Sequence, residues 1–200
     1  MQHNGWQTVT VASYSAFKAV VNNNGWDLDL AFGDQCYDLA FLLWYSVGFP
    51  QGYPVNGGTG KAKDIWTERN TNISYNGTTY FDIIYNLNDV KQGDMIIYDS
   101  TPYNEFGHDG LADEDYATWH ANNPTSYEFP ILSQNNNGTP YAGGGSYANI
   151  HGYDTRLFLG AFRYKAWEQP VPPTPTRYTK SKFKWPIYAR RLREKRLNLY

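Results

Sequence analysis

Gly25-Trp26-Asp27-Leu28-Asp29-Leu30-Ala31-Phe32-Gly33-Asp34-Gln35-Cys36-Tyr37-Asp38 is the stretch that organises the rest of the chain. Asp27 and Asp29 alternate with apolar residues, and the chain then passes through Cys36 and Asp38 into residues 39–47, its most apolar run. Acids at intervals of two ahead of a helix are how a loop wraps a hard cation. Carboxylates and main-chain carbonyls converge, and the helix adds one more acid. Asp27, Asp29 and Asp38 would supply side chains, with Ala31 and Gly33 supplying carbonyls. Acids in this position also serve as N-caps and dipole partners, so spacing alone leaves both readings open. Cys36 would begin the helix, where backbone N–H groups and the positive dipole end lower a thiol pKa and favour the thiolate. A lone cysteine is also commonly a small buried hydrophobe.

Around this stretch the pattern of apolar residues places helices at 13–22, 36–47 and 61–70. Downstream the period changes, and runs rich in β-branched and aromatic residues place strands at 80–85 and 94–98. Shorter strands are expected at 106–112, 127–133 and 157–164. Helices first and strands later predict an α+β fold, with N-terminal helices packed on an antiparallel β-sheet. A thiolate needs an imidazole beside it, and the chain offers His3, His108, His120 and His151. His108 follows Phe106-Gly107, where a strand would cross the sheet. A histidine there is more often structural than catalytic.

The chain has 200 residues, of which 18% are aromatic and 18% charged, which argues against a disordered polymer. The single cysteine forbids an internal disulfide. Residues 39–47 are too short to span a bilayer, and the N-terminus lacks the basic start and apolar run of a signal peptide. A soluble protein without an export signal or membrane insertion is expected. The domain should close near Trp167, giving 1–167 as the main domain. A semi-rigid linker over 168–176 contains Gln169-Pro170-Val171-Pro172-Pro173-Thr174-Pro175, and a basic tail spans 177–200. The formal net charge of −2 hides a split. Residues 1–176 hold 8 Lys/Arg against 18 Asp/Glu, whereas 177–200 hold 9 against Glu194 alone. An acidic body repels phosphate, which makes a nucleic-acid partner a poor reading.

At the opening stretch the sequence resembles the CHAP family, the cysteine- and histidine-dependent amidohydrolases/peptidases, and most closely the CHAP domains of bacteriophage lysins acting on Gram-positive walls. Asp27-x-Asp29-x-Ala31-x-Gly33-x-Gln35-Cys36-x-Asp38-Leu39-Ala40 is similar to the family's calcium loop and nucleophile segment. Gln92-Gly93-Asp94-Met95-Ile96-Ile97-Tyr98 resembles its Gly-Asp strand, and Gly107-His108 its Gly-His. Ile131-Leu132-Ser133-Gln134-Asn135-x-x-Gly138 resembles a "hydrophobic-Leu-Glu-Gln-Asn" strand end, and Phe158-Leu159-Gly160-Ala161-Phe162-Arg163 the closing strand. The blocks run in the expected order from about residue 13 to 165.

The resemblance implies a papain-like CHAP fold, with Cys36 as nucleophile, His108 as general base and Gln35 contributing to an oxyanion hole. It also implies a structural calcium on Asp27, Asp29, Ala31, Gly33 and Asp38. Two departures stand out. Ser133 replaces the usual Glu that orients the imidazole, a role open to Asn135, with Glu128 a distant substitute. Asp109-Gly110-Leu111-Ala112-Asp113-Glu114-Asp115 replaces an apolar strand, so the strand is short or a loop is inserted. The implied substrate is an amide bond of bacterial peptidoglycan, cut as an amidase or an endopeptidase. Trp26, Tyr37, Trp119 and Tyr141 are candidates to line a groove, although core or loop packing is the commoner place for each. The basic tail suits docking to other phage tail proteins, which places the protein in a virion tail acting at the host wall during infection. A free endolysin held in the host cytoplasm before lysis and an inactive structural tail protein are the alternatives.

Overall fold

The structure is a computed structural model and describes residues 1–135 and 145–167. The elements are β1 (Gln2–Asn4), α1 (Tyr14–Val21), β2 (Gly25–Asp27), α2 (Cys36–Ser46), α3 (Arg69–Asn72), β3 (Ser74–Tyr75), β4 (Thr78–Thr79), β5 (Phe81–Ile84), β6 (Met95–Tyr98), β7 (His108–Ala112), α4 (Tyr116–Asn122), β8 (Glu128–Ser133), β9 (Asn149–Asp154) and β10 (Phe158–Tyr164). The main sheet has the order β5-β10-β6-β7-β8-β9, and every neighbouring pair is antiparallel. The α+β architecture expected from the sequence is the one observed.

Alternation along the strands divides the sheet's side chains between two cores. Met95, Ile97, Leu111, Leu132 and Phe162 join the core of α1 and α2, while Ile96, Ala112, Ile131 and Ala161 join that of Tyr116 and Trp119 from α4. In α2, Leu39, Ala40, Leu42, Leu43 and Trp44 are completely buried, which explains its run of apolar residues without a polar stripe. Trp44 stacks on Phe81 at 4.2 Å and meets Phe162 edge-on at 5.4 Å, fixing the helix over the sheet. Gly48, at φ +109°, lets the chain leave the helix in a conformation that L side chains resist. Across the sheet, Arg163 donates to Asp94 at 2.9 and 2.7 Å, which satisfies the buried carboxylate of the Gly-Asp strand. Gly160 passes so close under Trp66 that a Cβ there would lie 2.0 Å from its ring.

Several elements depart from the sequence reading, among them β2, β3, β4 and α4, which were not expected. Residues 61–70 form a short 3₁₀ turn (Ala62–Ile65) and the single-turn α3 instead of one helix. β1 and β9 were not expected; β1 pairs with β2 in parallel, and β9 is an edge strand whose polar residues lack the alternation that marks a half-buried strand. Of the two possibilities left open after His108, the strand is short: it ends at Ala112, and α4 follows. Trp167 donates to the Val11 carbonyl at 2.8 Å and packs against Tyr14 and Phe17. No helix among the described residues is long and apolar enough to cross a membrane. The linker expected at 168–176, the tail at 177–200, Gly138 and Tyr141 lie outside the described residues.

Candidate active site

The loop between β2 and α2 gathers its acids as the spacing implied. Carboxylate oxygens of Asp27, Asp29 and Asp38 all lie within 4.8 Å of one another. Asp38 reaches back from the first turn of α2 and accepts the Leu28 and Gln35 N–H groups at 2.8 and 2.9 Å. Asp29 accepts the Ala31 N–H at 2.8 Å. The loop curls through Leu30, Phe32 and Gly33, all at φ between +61° and +73°. Two bulky residues in that left-handed region are strained and need the surroundings to hold them. Both are also exposed, at 66% and 64%.

The crowding of charge shows in the acidities. Burial pushes the Asp38 carboxyl up to about 8, against the two N–H groups it accepts, and the charges of Asp29 and Asp27 push the same way. Burial also raises Asp27, helped by Asp29 and Asp34, and its buried Oδ1 has no hydrogen-bond partner. A converging set of hard oxygens with one buried and unpaired fits a hard divalent cation.

Cys36 is half-buried at the first position of α2. The thiol pKa expected to fall is instead pushed up by burial and by the Asp109 carboxyl, against the N–H groups of Asp109 and Tyr37. Desolvation outweighs the helix terminus here. Asp109 was not anticipated as a neighbour of the thiol. It lies on β7 in phase with Leu111, which packs in the α2 core, and is completely buried. Burial raises it to about 8, partly opposed by the Cys36 thiol, and neither carboxylate oxygen has another hydrogen-bond partner of regular geometry.

His108 opens β7 and is 3% exposed. Its Nε2 meets Ser133 Oγ at 2.9 Å, and its ring stacks on Tyr153 at 4.5 Å. Burial raises the Tyr153 hydroxyl, and the charges of Cys36 and Asp109 push it the same way. Ser133, on β8, thus meets the imidazole in the position where the resemblance implies a carboxylate.

Asn135 has a different described partner. Its Nδ2 donates to Gln35 Oε1 at 2.7 Å. Gln35 in turn gives its main-chain N–H to Asp38 and one side-chain N–H to the Phe32 carbonyl at 2.8 Å. Buried Gln134 stitches the halves together, pairing with both main-chain groups of Trp26 and donating to the Gln35 carbonyl at 3.0 Å. Glu128 is exposed at the far end of β8. Among the aromatics expected to line a groove, Trp26 and Trp119 are core residues at 1% and 7% exposure, and the half-buried Tyr37 donates to the Pro54 carbonyl. The site's exposed apolar side chains are Leu30 and Phe32, which sequence reading had placed only as loop spacers.

No protein-family model matches the chain. Among curated proteins, the chain is 34% identical over 97 residues to the D-alanyl-L-alanine endopeptidase of Streptococcus phage B30, a match covering 46% of this chain and 20% of that protein. The match therefore spans about a fifth of that relative's length. Among solved structures, the fold is similar to the wild-type endolysin LysIME-EF1, with a TM-score of 0.56 and 23% identity over 79% of this chain and 66% of that one.

Proposed function

We propose that the chain is the catalytic domain of a bacteriophage peptidoglycan hydrolase of CHAP type that cuts a peptide amide bond by thiol chemistry. The observation that carries this reading is Cys36 at the head of α2, with the His108–Ser133 pair on the adjoining strands, in a fold similar to an endolysin. The similarity to a D-alanyl-L-alanine endopeptidase favours endopeptidase over amidase, with that linkage as the bond.

Cys36 Sγ transfers its proton to His108 and attacks the carbonyl carbon. With Nε2 held by Ser133, the ring nitrogen for this exchange is Nδ1. The Cys36 N–H and the remaining Gln35 Nε2 proton stabilise the oxyanion. On collapse, the C–N bond breaks and the imidazolium proton passes to the departing amine. Water, deprotonated by the same imidazole, then hydrolyses the thioester. Asp27, Asp29 and Asp38, with the Ala31 and Gly33 carbonyls, would hold a calcium ion. Its contribution is to offset the loop's negative charge and so keep Gln35 and Cys36 in register. Association with a virion tail rests on the basic composition of 177–200, and detecting the protein in washed particles tests it.

The deciding experiment is release of new amino groups from purified Gram-positive peptidoglycan in calcium. Cys36→Ala should lower the rate by more than about 10³-fold, with new L-alanine N-termini in the wild-type digest only. Wild-type rates in that variant would overturn the thiol mechanism. No release from walls of several cross-bridge types would favour an inactive structural tail protein, a reading that the neutral Ser133 supports.

A further inference from the structure

The buried imidazole of His108 must carry a proton between thiol and leaving amine, and a buried cation needs an electron-rich neighbour. Ser133 orients Nε2 but is neutral, so it fixes direction without offsetting charge. Tyr153, on β9, offers more than a contact. Its ring lies 16° from parallel to the imidazole with centroids 4.5 Å apart, inside the range at which an aromatic face attracts a cation. Tyr98, completely buried and opposite His108 in the β6–β7 register, packs on Tyr153 at 4.5 Å and holds its ring in place.

The other ionisable groups around the start of β7 have separate roles. Cys36 approaches from α2, and Asp109, in phase with Leu111, is directed to that thiol. Asp154, next to Tyr153, is held by Arg156. Lys63, on the 3₁₀ turn packed against the strand's start, is engaged by Ser100 at 3.0 Å and Asp99 at 3.8 Å.

We propose that Tyr153 is a positioning residue of the site, whose ring face seats the His108 imidazole and favours its charged form. This rests on the thiol mechanism proposed above. The tyrosine hydroxyl is not required, because the attraction comes from the ring. Nothing in the residues around Tyr153 (Asn149-Ile150-His151-Gly152-Tyr153-Asp154) announces this role, since it depends on β9 pairing beside β8.

The test is kcat/KM as a function of pH for the full chain in calcium, on soluble cross-linked muropeptides, with melting temperatures to confirm folding. Tyr153→Phe should stay within about threefold of wild type with an unmoved acidic limb. Tyr153→Leu should fall about tenfold, with the acidic limb displaced to lower pH by roughly half a unit, because the imidazolium gives up its proton more readily. Tyr153→Trp, with the stronger ring face, should move that limb upward and serves if the leucine variant does not fold. A limb that stays put in the folded leucine or tryptophan variant overturns the proposal, whatever happens to the rate, since lost packing alone would lower the rate at every pH. Activity surviving in Cys36→Ala would instead overturn the mechanism on which the proposal rests.

Discussion

Residues 25–38 bring three carboxylates, Gln35 and Cys36 together within one continuous loop and helix start. His108, Asp109, Ser133 and Tyr153 come from β7, β8 and β9, and only the sheet register makes them neighbours. The loop half is overcharged, with Asp38 raised to about 8 and Asp27 pushed the same way. The strand half surrounds its imidazole with a hydroxyl and an aromatic face. Under the proposed function, one half would depend on an added cation and the other on internal packing, so calcium and pH should act on different halves.

The largest effect expected on that division is from calcium. Stripping it should lower activity about 100-fold through misplacement of Gln35 and Cys36, and lower Tm by roughly 5–10 °C. Asp38→Asn should show the same losses in calcium and no further response to a chelator. The division breaks if chelation leaves the wild-type rate and Tm untouched. It also breaks if calcium shifts the acidic limb of the pH profile, which would mean that the Gln134 and Asn135 bonds to Gln35 transmit charge between the halves.

A smaller loss is expected at Ser133. The alanine variant leaves the His108 Nε2 with its hydroxyl partner removed, which should cost about tenfold in kcat/KM with calcium affinity unchanged. Altered calcium affinity, read by calorimetry, would show that the halves are not separable.

Asp109 sharpens the comparison through stability alone. Its carboxyl sits at about 8 in the folded chain against roughly 3.9 when unfolded. With the folded pKa raised, the stabilising contribution of its protonated form is complete below about 4 and is lost as the pH climbs towards 8. Asp109→Asn keeps the shape without the charge. It should raise Tm by about 3–6 °C at pH 8 and change it little at pH 4. A difference that is constant across that range would show that the carboxyl is not the titrating group.

Legibility follows the same division. The acidic loop could be read because its chemistry is contiguous: Asp27, Asp29 and Asp38 converge through local turns and one helix start, and the observed cluster is the one their spacing describes. β6, β8 and β10 were legible for a similar reason, since β-branched and aromatic runs mark strands whatever they pair with. β9 escaped because an edge strand has no need of an apolar alternation. Trp26 and Trp119 take core packing, the commoner of the two places open to such aromatics, while Leu30 and Phe32 face solvent.

The linear chain by itself determined the α+β order of elements, the acidic loop and the placing of Cys36 at a helix start, all of which depend on interactions within a few residues. Only the tertiary structure decided that Ser133 meets His108, that Asn135 serves Gln35, that Asp109 lies beside the thiol and that Tyr153 covers the imidazole. Those outcomes depend on strand register and on what each side chain is buried against, and a shift of one residue would send each to the opposite face of the sheet. The thiol shows the same limit: its position at a helix start predicted a lowered pKa, and the burial and neighbouring carboxyl supplied by the folded sheet reversed it.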